Sequence, residues 1–316
     1  MKYDVVALGE LLIDFASRSV SAIGYPTMEA LPGGAPANFL AALTKYGYKT
    51  AFLGKVGEDT FGKLLVGTVK DAGIETKGIV MDPKVFTTLA FVTFSADGDR
   101  SFSFARKPGA DTMLSWEEVD KSILDEAKVF HFGTLSLTDE PVRTATQKCV
   151  AYAKEQGKLI TCDPNLRKPL WPSEEAAKEQ ILWSLSQADV VKISDDEVEF
   201  LWNCTPEEGA EKLLSQFGVK LAMVTLGPKG CLMKTANASC SVTSPKVNPV
   251  DTTGAGDIFG GSAVSRLLEL NKPIDQLTEG DLRYIGSFAS TAASLSTEAP
   301  GGIPSIPEKE TVLAKM

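Results

Sequence analysis

Short apolar runs alternate with longer amphipathic stretches along most of this 316-residue chain. The short runs predict buried strands, and the longer stretches, with apolar positions at helical spacing, predict helices. The alternation indicates βαβ units and therefore an α/β fold around a mostly parallel sheet flanked by helices on both faces. The predicted strands are residues 5–8, 50–56, 129–132, 159–162, 190–193 and 221–225, and the predicted helices are residues 37–46, 61–72, 141–156, 173–186, 195–202 and 206–217.

Two segments break this pattern. Residues 87–106 alternate with a period of two around an "ADGD" turn at 96–99, which predicts a β-hairpin, and residues 15–34 form a second non-helical stretch. Together, at about 15–34 and 85–108, they predict a small β-sheet that projects from the body as a lid over a pocket. No linker or internal repeat divides the chain, so residues 1–316 are expected to form a single domain.

Composition and charge exclude several classes of protein. Hydrophobic residues make up 43% and charged residues 23%, as in globular proteins, and the net charge of −9 argues against a nucleic-acid or anionic-membrane partner. Five scattered cysteines without a CxxC motif indicate reduced thiols and no zinc module. The apolar run near the N-terminus is interrupted by Asp4, Glu10 and Asp14, so it predicts neither a signal peptide nor a membrane span. A cytoplasmic location is expected.

Two possible chemical motifs are better explained by ordinary structure. His131 is the only histidine, so we expect a packed residue at a strand end rather than a catalyst. "GEDTFGKL" at 57–64 resembles a phosphate-binding P-loop, yet Leu64 stands where that loop needs Ser or Thr for magnesium. An ordinary strand-to-helix turn is favoured there. No G-x-G-x-x-G follows the first strand, which argues against a nicotinamide-binding domain.

Two glycine-rich segments precede helices. In "LPGGAPANFLAALTKYG", Gly33 and Gly34 allow close approach of the backbone to a ligand, and Asn38 can direct its amide to that helix end. A flexible loop with a helix cap explains this segment equally well.

The second segment, "DTTGAGDIF", provides a sharper signal. Its glycines leave backbone N–H groups near Ala255 to converge on an anion at a helix N-terminus. Asp257, in the same turn, suits a carboxylate that takes a proton from a hydroxyl attacking phosphorus. A simple N-cap is the alternative, but the additional polar residues Asp251, Thr252 and Thr253 favour a functional site.

The two glycine-rich motifs, about two hundred residues apart, resemble the paired signatures of the PfkB/ribokinase family of carbohydrate kinases. The resemblance extends from "VVALGELLIDF" to "GGIPSIP". "GGAPANFLAAL", "FARKPGAD", "DPNLRKPLW" and "KISDDEVEFL" are most similar to the fructokinase branch. It implies a ribokinase-like, doubly wound fold with a β-sheet lid.

The resemblance also implies roles for individual residues. Asp257 would be the general base, with an anion hole formed by the amides of Gly254, Ala255 and Gly256. Asp14, Gly33, Gly34 and Asn38 would hold the sugar hydroxyls. Arg106, at the end of the lid hairpin, would close over the sugar, although a solvated charge at a strand end is equally compatible with the sequence.

On the nucleotide side, Arg167 is similar to the family arginine that approaches the phosphates. Thr225, Gly227 and Gly230 lie in "TLGPKG", which resembles the ATP-binding turn, and Ser290 stands where Asn is common in the adenine pocket. Glu197 would order Mg²⁺ through water, with Ser194 replacing the usual Asn three residues before it. Asp251 and Thr253, together with the C-terminal "STEAPGGIPSIP", resemble a monovalent-cation loop pair.

The resemblance therefore implies an ATP-dependent kinase that makes fructose 6-phosphate from D-fructose and uses Mg²⁺ and K⁺. A 2-keto-3-deoxygluconate kinase, or another sugar or nucleoside kinase of the family, is an alternative enzyme. A catalytically silent sugar-binding regulator is an alternative of another class. An apolar strand, "LAFVTF", at an exposed edge of the lid would favour a homodimer.

Overall fold

The computed structural model describes residues 1–94 and 100–316, and its main feature is a nine-stranded sheet. The strand order is β13-β12-β11-β10-β9-β8-β1-β4-β5, in which only β12 and β13 run antiparallel to their neighbours. All six predicted strands lie in this sheet within two residues of their expected bounds. The strands are β1 (Tyr3–Leu8), β2 (Leu12–Val20), β3 (Pro26–Gly33), β4 (Thr50–Gly57), β5 (Ile79–Asp82), β6 (Leu89–Phe94), β7 (Arg100–Ala105), β8 (Ala127–Gly133), β9 (Leu159–Asp163), β10 (Val190–Ser194), β11 (Leu221–Thr225), β12 (Cys231–Lys234) and β13 (Ser239–Val242).

Helices cover both faces of the sheet, as the alternation predicted. The six predicted helices are confirmed, again within two residues at each end. The helices are α1 (Ala35–Lys45), α2 (Thr60–Asp71), α3 (Lys121–Asp125), α4 (Val142–Glu155), α5 (Glu174–Gln187), α6 (Asp195–Trp202), α7 (Pro206–Phe217), α8 (Ala255–Leu270), α9 (Glu279–Ser296) and α10 (Lys309–Lys315). No helix in the described ranges is long and apolar enough to cross a membrane.

Alternate residues of β1 face two separate apolar cores. Val6 and Leu8 pack in the core under α4, α5 and α7, whereas Val5 and Ala7 pack in the core under α1, α2 and α8. A period of two along a strand requires this division. Burial on both faces explains why these parallel strands have apolar sequences with little alternation.

The lid prediction corresponds to a second, four-stranded sheet with the order β3-β2-β6-β7. Strands β6 and β7 form the predicted hairpin, and its turn residues 96–99 lie outside the described residues. The expectation that β6 forms an exposed edge is wrong, because β6 pairs with β2 on one side and β7 on the other. The edges of this sheet are β3 and β7.

His131 is a packed residue, as expected. Its ring stacks on Phe39 at 3.7 Å between centroids, and its Nδ1 atom lies 2.9 Å from Thr161 Oγ1. Burial lowers the pKa of His131 to about 3, so the ring is neutral. In the turn before α2, the Asp59 carboxylate caps the N–H groups of Phe61 and Gly62. Those two amides are therefore satisfied within the chain.

Candidate active site

The N-terminus of α8 faces the carboxyl ends of the parallel strands. Gly254 precedes the helix with φ 77°, a conformation that favours glycine. Ala255 N–H donates to the Thr252 carbonyl at 3.3 Å, so this expected anion-hole amide is occupied by a turn. Among the described residues, the amides of Gly256 and Asp257 have no acceptor. They are two of the unpaired N–H groups that begin every helix.

Asp257 lies in the first turn of α8, and its carboxylate is partly buried. Asn38 Nδ2 donates to Asp257 Oδ2 at 2.9 Å, which joins the two glycine-rich motifs across 219 residues of sequence. Burial raises the pKa of Asp257, while the Asn38 hydrogen bond and the charges of Lys192 and Arg167 act in the opposite direction. A carboxylate with a raised pKa is suited to accept a proton.

A buried ion pair behind the glycine turn received no role in the sequence analysis. Lys192 Nζ, on β10, lies 2.9 Å from Oδ2 of Asp163, at the end of β9. A Cβ placed on Gly256 would be 3.0 Å from the Lys192 ammonium. Burial disfavours the charged lysine, but the carboxylates around it raise the pKa of Lys192 overall. The signal in the sequence was a lysine inside the apolar strand "VVKIS", where a charge needs a partner.

Glu197 and Ser194 form the N-terminal cap of α6. Glu197 Oε2 accepts from the Ser194 amide at 2.8 Å and hydroxyl at 3.0 Å, and Oε1 accepts from Leu166 N–H at 2.8 Å. The last bond ties α6 to the loop that carries Arg167. Arg167 and Glu197 line one cleft of about 590 Å³ that also reaches Lys192.

Asp251 joins the loop before α8 to the C-terminal loop. Its Oδ1 accepts from Thr253 N–H at 3.0 Å and from the Thr253 hydroxyl at 2.6 Å, while Oδ2 accepts from Gly301 N–H at 3.2 Å. The expected cation loops therefore lie side by side. Among the described residues, no three His, Cys, Asp or Glu side chains form a metal cluster. A monovalent ion here would depend on backbone carbonyls.

Three of the expected sugar-binding residues, Asp14, Gly33 and Gly34, lie where β2 meets β3. Gly34 has φ 130°, and a Cβ there would overlap the Glu10 carbonyl, so this position requires glycine. A Cβ on Gly33 would meet the Asp14 carboxylate, the movable end of a side chain. Glu10 was not predicted as a site residue, yet its Oε1 accepts from Ala35 N–H at 2.9 Å and holds this loop. Burial raises the pKa of Asp14 to about 6 and that of Glu10 to about 7.

Arg106 is not the solvated charge that the sequence allowed as one alternative, whereas its closure over the sugar stays a prediction. Its side chain is 3% exposed. Both Nε and Nη2 lie 2.8 Å from Asp111 Oδ2, and the remaining donors bind Thr138 and the Leu135 carbonyl. The physical reason is the nearby carboxylate of Asp111, which compensates the buried charge.

The expected nucleotide residues are divided between two places. Gly227 and Gly230, with φ 56° and 113°, shape the turn after β11, directly beyond Thr225. Ser290 is instead 2% exposed within the contact of α9 with β12, where its hydroxyl donates to Cys231 Sγ at 3.5 Å.

A cavity of about 810 Å³ near the C-terminal ends of α7 and α8 contains none of the predicted site residues.

Comparisons with known proteins agree with this geometry. The description "pfkB family carbohydrate kinase" matches residues 2–309. Fructokinase-1 of Zea mays is 42% identical over 312 residues, covering 98% of this chain and 96% of that protein. Fructokinase-2 of Solanum lycopersicum is 42% identical over 313 residues, covering 98% and 94% respectively.

Solved structures show the same fold. The crystal structure of fructokinase with bound ATP from Xylella fastidiosa has a TM-score of 0.89 and 29% identity, covering 99% of this chain and 98% of that chain. A fructokinase double mutant from Vibrio cholerae O395, in a fructose-, ADP- and potassium-bound form, has a TM-score of 0.88 and 29% identity, with coverage of 99% and 98%. The chain therefore belongs to the pfkB family of carbohydrate kinases and is a sugar kinase.

Proposed function

We propose that this chain transfers the γ-phosphoryl group of ATP to the 6-hydroxyl of D-fructose. The observation that carries the proposal is the position of Asp257, a partly buried carboxylate in the first turn of α8, next to the unpaired amide of Gly256. The relatives named fructokinase support fructose as the acceptor.

The proposed step is a direct in-line transfer. Asp257 takes the proton of the attacking hydroxyl, a new P–O bond forms, and the bond from the γ-phosphorus to the departing ADP oxygen breaks. The N–H groups of Gly254 and Gly256 and the Arg167 guanidinium would stabilise charge on the phosphoryl oxygens, and the Ala255 N–H would join them on leaving the Thr252 carbonyl. Closure of the lid sheet would exclude water, which otherwise competes as acceptor.

Asp14, Gly33, Gly34 and Asn38 would hold the sugar. Thr225, Gly227 and Gly230 would hold ATP, and Ser290 would support the adenine side from inside α9. Arg106 would close over the sugar from its buried position at the end of the lid hairpin.

The cations belong to the same proposal. The Glu197 carboxylate accepts three hydrogen bonds and keeps capacity for one more, which fits a Mg²⁺-bound water. Mg²⁺ would neutralise phosphate charge. Asp251 and Thr253 would order the loops whose carbonyls bind K⁺, and the potassium-bound Vibrio cholerae relative supports this choice.

We also propose a cytoplasmic location and a homodimer that forms through the lid. Val20, Ile23 and Tyr25 at one end of the lid are 69%, 79% and 68% exposed, which makes an apolar surface available. Sedimentation equilibrium would measure the oligomeric state.

A coupled assay of ADP release tests the proposed function. Fructose should give the highest kcat/KM when compared side by side with tagatose, ribose, adenosine and 2-keto-3-deoxygluconate. A higher value for 2-keto-3-deoxygluconate would reassign the substrate. Fructose binding by calorimetry without any ADP release would instead indicate a silent regulator.

A further inference from the structure

The carboxamide of Asn38 fills a narrow space beside Asp257. Its Nδ2 donates to Asp257 Oδ2 at 2.9 Å, and the residue is 3% exposed. Its other polar atom, Oδ1, is buried and has no hydrogen-bond partner among the residues that the structure describes. Buried polar side-chain atoms are seldom left unpaired, so the bond from Nδ2 to Asp257 is the hydrogen bond that fixes the orientation of this carboxamide.

We infer that Asn38 is a positioning residue for Asp257, in addition to any contact it makes with the sugar. By binding Oδ2, it leaves Oδ1 of the carboxylate to take the proton from the attacking hydroxyl. The inference deepens the proposed function and rests on it, because the orientation of the Asp257 carboxylate matters only if Asp257 is the base.

Two glycines leave room for the carboxamide in this orientation. A Cβ on Gly302 would overlap Asn38 Oδ1, and one on Gly254 would lie 3.1 Å from Nδ2. Gly302 has φ −81°, which any residue can adopt, so its backbone does not require glycine. The contact with Asn38 is the physical reason for a missing side chain there. The C-terminal loop thereby reaches the base through Asn38.

The Asn38 side chain is neutral, whereas several other side chains that face Asp257 are charged. The hydrogen bond favours the charged carboxylate without adding a net charge near the transferred phosphoryl group. Removing the donor should therefore make Asp257 harder to ionise. The charged groups that face Asp257 are Asp14 on β2, Asp163 at the end of β9, Arg167 in the following loop and Lys192 on β10.

The test is a titration of the Asp257 carboxyl group by ¹³C NMR in the intact chain, without substrate. The ¹³C signal of Asp257 is assigned by its absence from the spectrum of Asp257→Asn. Asn38→Leu keeps the volume and excludes water but removes the donor, so the midpoint should rise by about one pH unit, the effect of one hydrogen bond to a charged group. Gly302→Ala should raise it by about half a unit by displacing the amide. Gly67→Ala, in open space on α2, should not move it.

An unchanged midpoint in folded Asn38→Leu would overturn the inference. If that variant does not fold, the Gly302→Ala titration decides in the same way. In kinetics, the acidic limb of the kcat profile should move upward with the midpoint, whereas a rise in sugar KM alone would leave Asn38 as a simple ligand. A shifted midpoint in a protein without kinase activity would refute the proposed function and retain the Asn38–Asp257 pair.

Discussion

Lys192 Nζ lies 2.9 Å from Asp163 Oδ2, in a buried ion pair beside Gly256. The two side chains are 9% and 8% exposed, so water screens this charge poorly. The ammonium is fixed by β10 rather than by a mobile loop. It therefore places a permanent positive charge behind the amides proposed to bind the phosphoryl group.

Removing this lysine should damage both folding and catalysis. Lys192→Met leaves the Asp163 carboxylate buried without its partner, and we expect a loss of about 3 kcal/mol in the free energy of unfolding. The double variant Lys192→Met, Asp163→Asn should regain most of that stability in urea unfolding but not the lost kcat. If kcat returns together with stability, Lys192 acts only in folding.

Asp257→Ala should reduce kcat by about a thousandfold, the contribution of a positioned general base. ATP and fructose binding, measured by calorimetry, should remain within a few-fold of the parent chain. Asp71→Ala, an exposed aspartate on α2, is the matched control and should keep full activity. Turnover that survives in Asp257→Ala would remove this residue as the base.

The pH dependence of the reaction should follow the buried carboxyl groups. Burial raises the pKa of Asp14 to about 6 and also raises that of Asp257. Both are proposed to act in the charged form, so kcat/KM should fall as the pH drops through about 6 rather than about 4. A rate profile that stays flat down to pH 5 would contradict the proposed roles.

Asp14 should also limit stability at neutral pH. Its pKa rises from 3.8 to about 6 on folding, so its contribution is fully present below pH 3.8 and is lost as the pH rises through 6. Asp14→Asn should therefore stabilise the chain by about 1–2 kcal/mol at pH 8, allowing for partial exposure, and by little at pH 4. Urea unfolding at both pH values measures this. Destabilisation at pH 8 would contradict it.

Close packing of α8 against α1 should make one helical glycine indispensable. A Cβ on Gly261 would overlap the Phe39 carbonyl, so Gly261→Ala should cost about 1–3 kcal/mol in thermal unfolding. Gly67→Ala, also inside a helix but with open space around it, should stabilise by about 0.5–1 kcal/mol. Equal changes in stability at the two positions would show that helix propensity, and not packing, determines the effect of replacing glycine by alanine.

Local patterns were sufficient for much of the fold. Strands such as β11 and helices such as α6 and α7 have the bounds expected from apolar runs, caps and turn residues. These signals lie within a few residues of one another, so they can be recognised without knowing the rest of the chain. The lid hairpin was also predicted, because period two and a turn are local features. Its union with residues 15–34 in one small sheet was also expected, but the internal position of β6 between β2 and β7 was not, because strand neighbours come from distant sequence.

The sequence by itself determined the α/β order of elements and the two glycine-rich motifs that carry Asn38 and Asp257. Only the tertiary structure decided that these two side chains share a hydrogen bond, that Lys192 pairs with Asp163, and that Arg106 is buried against Asp111. The physical reason is that propensity and capping act over a few residues. Hydrogen bonds and ion pairs depend on which groups the folded sheet brings within about 3 Å.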